Sequence, residues 1–581
     1  MATGFDVVIN NGTLYDGTGA PPVARSVGIR DGRVAALSAV PLTDAREVVD
    51  AAGQWVLPGM VDIHTHYDIE ALVRPSLSES LRHGVTTVLI GSCSLSTVYV
   101  DGADAGDLFG RVEAIPREHV VAAVDSARSW TGPAEYARAL EDRPLGPNIA
   151  ALIGHSDLRA AVLGLERATR PDVKPTRAQQ LRMERMLEDA LDAGFLGMSS
   201  QQLLFDKIDG EVCRSRTLPS TYAPAREKRR LNAILRRRRR VLQTGPDISN
   251  PLSVGSQVFG SLGIGRRRLK TSLLSAADIK SNPAVISLMA PLAGVVNALG
   301  GDFRWQHLPV PFEVYADGIS LVVFEEFGSG AAALHLADEI ERNALMTDPD
   351  YRRRFRADYE DRRGPRVWHR DFYDAEIVEC PDTSVIGKSF GRVADERGGL
   401  HPVDAFLDLV VEYGEKLRWR TTISNHRPEV LRKLARCPGV QIGFSDAGAH
   451  LRNMSFYNFG LRLLKHVRDA ERAGTPFLSV AAVVRRLTGE LADWYGIDAG
   501  HLRIGDRADL LVVDPARLDD SLTEYHERPI EVYGGLSRMV NRNDATVPLV
   551  MVGGRPVFRY GVAEPVVGRE RTGRFLRAGE A

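Results

Sequence analysis

Four cysteines in 581 residues (Cys93, Cys213, Cys380 and Cys437) are too few and too scattered for a disulfide framework. None stands in CxxC spacing, which excludes a zinc ribbon or a thioredoxin-type redox motif, and the usage fits a reducing compartment. A basic excess is missing as well. The 74 Lys and Arg face 75 Asp and Glu for a formal net charge of −1, which argues against a nucleic-acid partner. No run approaches the roughly 18 uninterrupted apolar residues of a membrane span. The opening residues, MATGFDVVINNG, show neither the basic nor the apolar region of a secretory signal. These absences predict a soluble, cytoplasmic protein. What is present is ordinary for a globular chain, 44% hydrophobic and 26% charged, and long enough for a large core.

Both ends read as short strands. Phe5–Asn10 is strand-like and is expected to stop at the turn dipeptide Asn11-Gly12. Ser26–Arg30 and Arg33–Leu37 flank Asp31-Gly32, a strong hairpin signal. Ala508–Val513 and Val547–Val552 repeat the style near the other end, with Gly553-Gly554 turning into Arg555–Arg559. The middle alternates short apolar runs (Val56–Ile63, Thr86–Ile90, Ile149–Ile153, Phe195–Met198) with helical stretches such as Arg177–Ala193. That alternation predicts βα units around a parallel sheet, over this length a (β/α)8 barrel. The expected division is 1–55 and 491–581 for one small terminal sheet domain and 56–490 for the barrel. A highly charged, aromatic insertion is expected around 300–400. The run Arg236–Arg240 reads as a solvated helix face, with Leu231, Ile234, Leu235, Val241 and Leu242 opposite it.

The sharpest local pattern is Pro58-Gly59-Met60-Val61-Asp62-Ile63-His64-Thr65-His66. Alternate residues of a strand face one side, so both imidazoles can reach one metal ion. Three further apolar runs end in a ligand type: Thr86–Cys93 in a thiol, Ile149–His155 in an imidazole, and Val440–Asp446 in a carboxylate followed by His450. Each alone is compatible with plain packing; several strand ends together point to a site.

In this order, PGMVDIHTHYD, GVTTVLIGSCSLS, LIGHSDLR, GFLGMSS and IGFSDAGAH resemble the amidohydrolase superfamily. Within it they are similar to the N-acyl-D-amino-acid deacylase (D-aminoacylase) branch. GDRADLLVVDP and VPLVMVGGRPVFRYG agree, so the resemblance runs from about residue 5 to about residue 560. It implies a (β/α)8 TIM barrel with a small β-sandwich formed by both chain ends, and metal-assisted hydrolysis of an amide. By the resemblance, His64, His66, Cys93 and Asp446 are metal ligands and Asp446 also serves catalysis. His155, Ser199, His450 and Arg452 are the substrate-side candidates. Two family histidines are missing: Tyr222-Ala223-Pro224-Ala225-Arg226-Glu227 has none where one is expected, and no histidine occurs between His155 and His307. That departure leaves about one zinc per chain. Lys207 is a weaker candidate as a carbamylated bridge, and His426 as a replacement ligand.

The sequence therefore predicts a zinc-dependent amidohydrolase acting on an N-acyl amino acid or similar small amide. Two alternatives stay open: another reaction at the altered site, such as lactone or cyclic-amide opening or a cyclising condensation, and a non-catalytic binding module. A homo-oligomer is compatible with the sequence, which does not specify the state.

Overall fold

The computed structural model describes residues 4–247, 251–363 and 366–579. Eight parallel strands follow one another in chain order: Met60–Asp62, Val85–Ile90, Asn148–Gly154, Gly197–Gln201, Val241–Gly245, Lys270–Leu273, Asp302–His307 and Val440–Ile442. Every residue of Val85–Ile90, Asn148–Gly154 and Val241–Gly245 is buried. Parallel strands are covered on both faces, so they read as continuous rather than alternating apolar runs. Strand one continues as His64–Thr65 and strand eight as Phe444–Ala447, and these extensions pair in parallel with Phe444 opposite His64. The Ile63 N–H donates to Gly443 O at 2.7 Å, and the His66 N–H to Ala447 O at 2.8 Å. The sheet thus curls until its two edges meet. Ser445 Oγ donates to the buried Asp62 carboxylate, which fastens the same seam from the side-chain level.

The two chain ends share one nine-stranded sheet. Trp55–Pro58 pairs antiparallel with Leu510–Val513, Val56 opposite Val512, and this contact joins the N-terminal strands to the C-terminal ones. Trp55–Pro58 therefore belongs to the terminal sheet, and the curled sheet starts at Met60. The expected hairpin forms, with Arg30 opposite Arg33 and both turn residues in the left-handed region, Asp31 at φ 51° and Gly32 at φ 74°. The expected stop at Asn11-Gly12 does not occur. The strand runs to Leu14 through an irregularity between Ile9 and Gly12, where a side chain on Gly12 would strike Val56. Helix Gly489–Tyr495 and the tail residue Leu576 pack with Val61, Ile63 and Leu89 of the curled sheet, so residues beyond 490 contribute to both units.

The expected insertion at 300–400 is displaced. Asp302–His307 is a strand of the curled sheet, and the separate body is built from Phe312–Asp317, Glu376–Glu379 and Arg418–Ser424 with the helices between them. It has its own core from Val314 to Ile423, centred on Phe324, Phe372, Phe406 and Trp419, with the Phe372 and Phe406 rings stacked 4.6 Å apart. The charged stretch that marked it in the sequence is helix Pro349–Glu360, whose Tyr351, Phe355 and Tyr359 point inward. Among the described residues no helix is long and apolar enough to cross a membrane.

Helix Arg177–Asp192 shows how local sequence sets element ends. Thr176 Oγ1 accepts from the Gln179 N–H, and Gln179 Oε1 accepts from the Thr176 N–H, a reciprocal capping box. A comparable staple holds the segment after strand two. The buried Asp157 carboxylate accepts from Ser96 Oγ at 2.6 Å and from the N–H groups of Val98 at 3.0 Å, Tyr99 at 3.2 Å and Val100 at 2.9 Å. Asp157→Ala leaves these donors without an acceptor and is expected to lower unfolding free energy by about 3 kcal/mol or more in urea melts. A loss below about 1 kcal/mol would mean that water replaces the carboxylate.

Candidate active site

The ligand types sit where the strands of the curled sheet end. His64 Nε2 lies 3.3 Å from Cys93 Sγ and 3.4 Å from Asp446 Oδ1. His66 Nε2 is also 3.4 Å from Asp446 Oδ1. One ligand atom each of His64, His66 and Cys93 falls within 4.8 Å of the others. The seam between strands one and eight makes this possible, because it sets Phe444 beside His64 and carries Asp446 two residues further on. Cys93 arrives from strand two after Gly91, whose φ of 81° no side chain tolerates well and where a Cβ would lie 2.0 Å from Leu152 O.

The imidazoles are held ready as ligands. Gln306 Oε1 accepts from His64 Nδ1 at 2.7 Å, and the Gln306 amide donates to Ser272 Oγ at 2.9 Å. That fixes the proton on Nδ1 and leaves the Nε2 lone pair facing Cys93 and Asp446. Burial, opposed by Asp446, lowers the His64 pKa to about 4, and burial lowers His66 to about 3. Burial also pushes the Cys93 thiol well up, helped by the Glu113, Asp446, Asp206 and Asp68 carboxylates. Two neutral nitrogens, a thiol and a carboxylate, enclosed among further acids, form a donor set that a borderline-soft divalent cation fits. Such a cation would favour the thiolate form of Cys93.

Cys93, Ser94, Asp446 and His450 all have non-glycine backbone in the left-handed region, at φ 50°, 75°, 55° and 54°. Strained backbone of this kind gathers where function over-determines the conformation.

Glu113 was not legible in the sequence. It is buried, with Oε1 3.3 Å from His66 Nδ1 and Oε2 3.7 Å from His450 Nε2, and its backbone carbonyl accepts from the His450 N–H at 2.7 Å. Gln201 and Gln243 were missed as well: Gln243 Oε1 accepts from the Cys93 N–H at 3.2 Å, and Gln201 Nε2 lies 3.9 Å from Cys93 Sγ. A cavity of about 540 Å³ opens over this cluster, lined by His66, Cys93, Glu113, Asp446 and His450 and roofed by Leu321 and Val323 of the inserted body.

The substrate-side candidates divide. His450 reaches the cavity. His155 does not line it; its ring is buried between Glu227 Oε1 at 2.7 Å and Ser200 Oγ at 3.0 Å, and Arg159 closes the same buried ion group. Ser199 is likewise internal, its Oγ accepting from the Ser94 N–H at 2.9 Å, so it supports the segment after Cys93. Arg452 lines the cavity but is committed elsewhere: Nε donates to Asp317 Oδ2 at 2.7 Å and Nη1 to Glu527 Oε2 at 2.5 Å. His426 stands 3.9 Å from Asp278 and is not among the cavity residues. Lys207 lines the cavity but stands outside the His64, His66 and Cys93 cluster.

The amidohydrolase family matches residues 47–241. An uncharacterized protein of Mycobacterium tuberculosis is 56% identical over 588 positions, covering 99% of this chain and 96% of that one. N-acyl-D-glutamate deacylase of Alcaligenes xylosoxydans is 36% identical over 200 residues, 34% of this chain and 38% of the relative. The chain belongs to the amidohydrolase superfamily. This amidohydrolase falls in the D-aminoacylase-like branch and is a hydrolase acting on C–N bonds. Its fold is that of Bordetella bronchiseptica N-acyl-D-glutamate deacylase, solved with zinc and a phosphonate inhibitor. The TM-score is 0.63 at 22% identity, over 99% of this chain and 100% of the other.

In this amidohydrolase Arg452 ties the inserted body to the hairpin of His526–Ile530 and Leu536–Val540 through Asp317 and Glu527 rather than awaiting a ligand. Arg452→Met is expected to lower stability by about 1–2 kcal/mol in thermal or urea melts and to leave KM for an anionic substrate within about twofold. A large rise in KM with unchanged stability would return Arg452 to the substrate.

Proposed function

We propose that the chain is a zinc-dependent amidohydrolase that cleaves the amide bond of an N-acyl amino acid, of D configuration as in the named relatives, or of a related small amide. The observation that carries this reading is the convergence of His66, Cys93 and Asp446 on one cavity, with the buried His64 within 3.4 Å of Cys93 and Asp446 behind them. On the same reading the curled sheet is the (β/α)8 barrel and the terminal sheet the β-sandwich of the family. The four free cysteines fit a cytoplasmic setting.

His64, His66, Cys93 and Asp446 would hold the ion. When bound, it supplies Lewis-acid polarisation of the scissile carbonyl and acidifies a water molecule. The remaining chemistry belongs to the chain. The Asp446 carboxylate faces the cluster from a strand end, placed to take the water's proton and return it to the leaving nitrogen. Glu113 sits against His66 and His450, its carboxylate 3.3 Å from one ring and 3.7 Å from the other. Gln201, Gln243 and Gln306 occupy the mouths of strands four, five and seven, and neutral amides are poor ligands for a second zinc. We therefore assign one zinc per chain.

With Arg452 neutralised by two carboxylates, another cation must meet an anionic substrate. Lys207 lines the cavity, half-buried, and makes no hydrogen bond or ion pair among the described residues, although Glu325 and Asp206 lie nearby. We assign it the carboxylate of the substrate.

Metal analysis of the purified protein should find about one zinc per chain, and His64→Ala should lose it; two tightly held ions would disprove the ligand count. Asp446→Asn should keep most of the zinc and fall about 10²–10⁴-fold in turnover of an N-acyl amino acid. Full activity in that variant would move the proton transfer to another group.

Lys207→Met should raise KM for an N-acyl amino acid by about tenfold or more while changing kcat little, and should leave the matching uncharged amide unaffected. Equal effects on both substrates would make Lys207 structural.

A further inference from the structure

Helix Ala225–Arg238 carries cations on two faces that meet different fates. On one, Arg230, Arg237 and Arg238 pair with Glu184, Glu188 and Asp192 of helix Arg177–Asp192, a ladder of three ion pairs. The other faces a groove of about 710 Å³ between this helix, helix Pro251–Gly260 and the connection after it. Lys228, Arg229, Arg236, Arg266 and Arg267 line that groove, and Arg237, already paired with Glu188, borders both faces. Among the described residues no carboxylate lines it, and the groove shares no lining residue with the cavity of the candidate active site.

Part of this charge is spent internally. Arg236, the first of the arginine run, is buried rather than solvated and donates to Arg267 O at 2.6 Å, Leu262 O at 3.1 Å and Gly260 O. Arg267 donates to Arg237 O at 3.1 Å. Lys228, Arg229 and Arg266 make no side-chain hydrogen bond or ion pair among the described residues. The potential this leaves is felt by Arg236, whose pKa burial and the Arg266 charge lower to about 10. Like charges gathered around a concavity repel, and a bound anion relieves that repulsion.

We propose that this groove binds a small anion carrying two or more linked phosphate groups. Guanidinium forks match phosphate oxygens in pairs, Lys228 adds a point charge, and the neutral amides of Asn232 and Gln257 on the wall offer further donors. A compact ligand fits better than a nucleic-acid strand, because the basic surface ends at the acid-paired face of the same helix and the chain as a whole is near neutral.

The test is calorimetric titration of the full-length, zinc-loaded protein with inorganic pyrophosphate. Wild type should bind one equivalent saturably, more weakly in about 200 mM than in about 50 mM salt. The double variant Arg229→Glu, Arg266→Glu should bind at least about tenfold more weakly, whereas His64→Ala should bind as wild type does, which separates the groove from the zinc site. If the charge reversals disturb folding, seen by circular dichroism, glutamine at the same two positions carries the comparison. Absence of saturable binding, equal affinity in the double variant, or loss only with His64→Ala would overturn the proposal. So would a single-stranded oligonucleotide that displaces pyrophosphate from the groove and binds it more tightly.

Discussion

The pairing of strand one with strand eight is the constraint on which the site depends. Two backbone hydrogen bonds, from Ile63 to Gly443 and from His66 to Ala447, join segments nearly four hundred residues apart in the chain. With that seam in place, the histidines of one strand and the aspartate of the other face the same point. Without it the HxH pair would be two buried imidazoles with nothing opposite them. The buried Asp62–Ser445 contact beneath the seam is therefore part of the site's geometry, although it never faces the cavity.

Much of this was legible in the sequence, because strand-end ligands leave a local trace: an apolar run closed by His, Cys or Asp. The parallel sheet was legible for a similar reason, since buried strands read as unbroken apolar runs. What could not be read were residues whose role depends on distant partners. Arg452 stands two residues from His450 and looked free, but its carboxylates, Asp317 and Glu527, lie 135 and 75 positions away. Glu113 belongs to a connection between helices, with no periodicity to flag it. Glutamine at a strand mouth is as ordinary as glutamine on a surface until its amide is seen to meet Cys93 or His64. The borders of the inserted body were missed because its bounding strands, FEVYAD and RWRTTIS, mix apolar and charged residues with no distinctive signal, while the charge that drew attention lies on a helix between them.

The inserted body is more than an ornament on the sheet. It owns a core of packed aromatics separate from that of the curled sheet. Through Leu321 and Val323 it walls the cavity, and through Asp317 it holds Arg452, so the roof and the rim are joined by an ion pair. The His64, His66 and Cys93 cluster comes from the curled sheet, whereas part of the cavity wall comes from this body. On the proposed reading, chemistry and selectivity are thus written in separate parts of the chain.

The left-handed backbone at Cys93, Ser94, Asp446 and His450 has a consequence for evolution. Glycine relaxes that conformation at no steric penalty and asparagine at a small one, so at each position the residue that folds best differs from the residue present. Copies of this gene freed from selection on chemistry should drift toward glycine or asparagine at these four sites first. Lineages that still use the site should hold all four against that drift. The backbone angles turn four positions into a readable record of whether a descendant is still an enzyme.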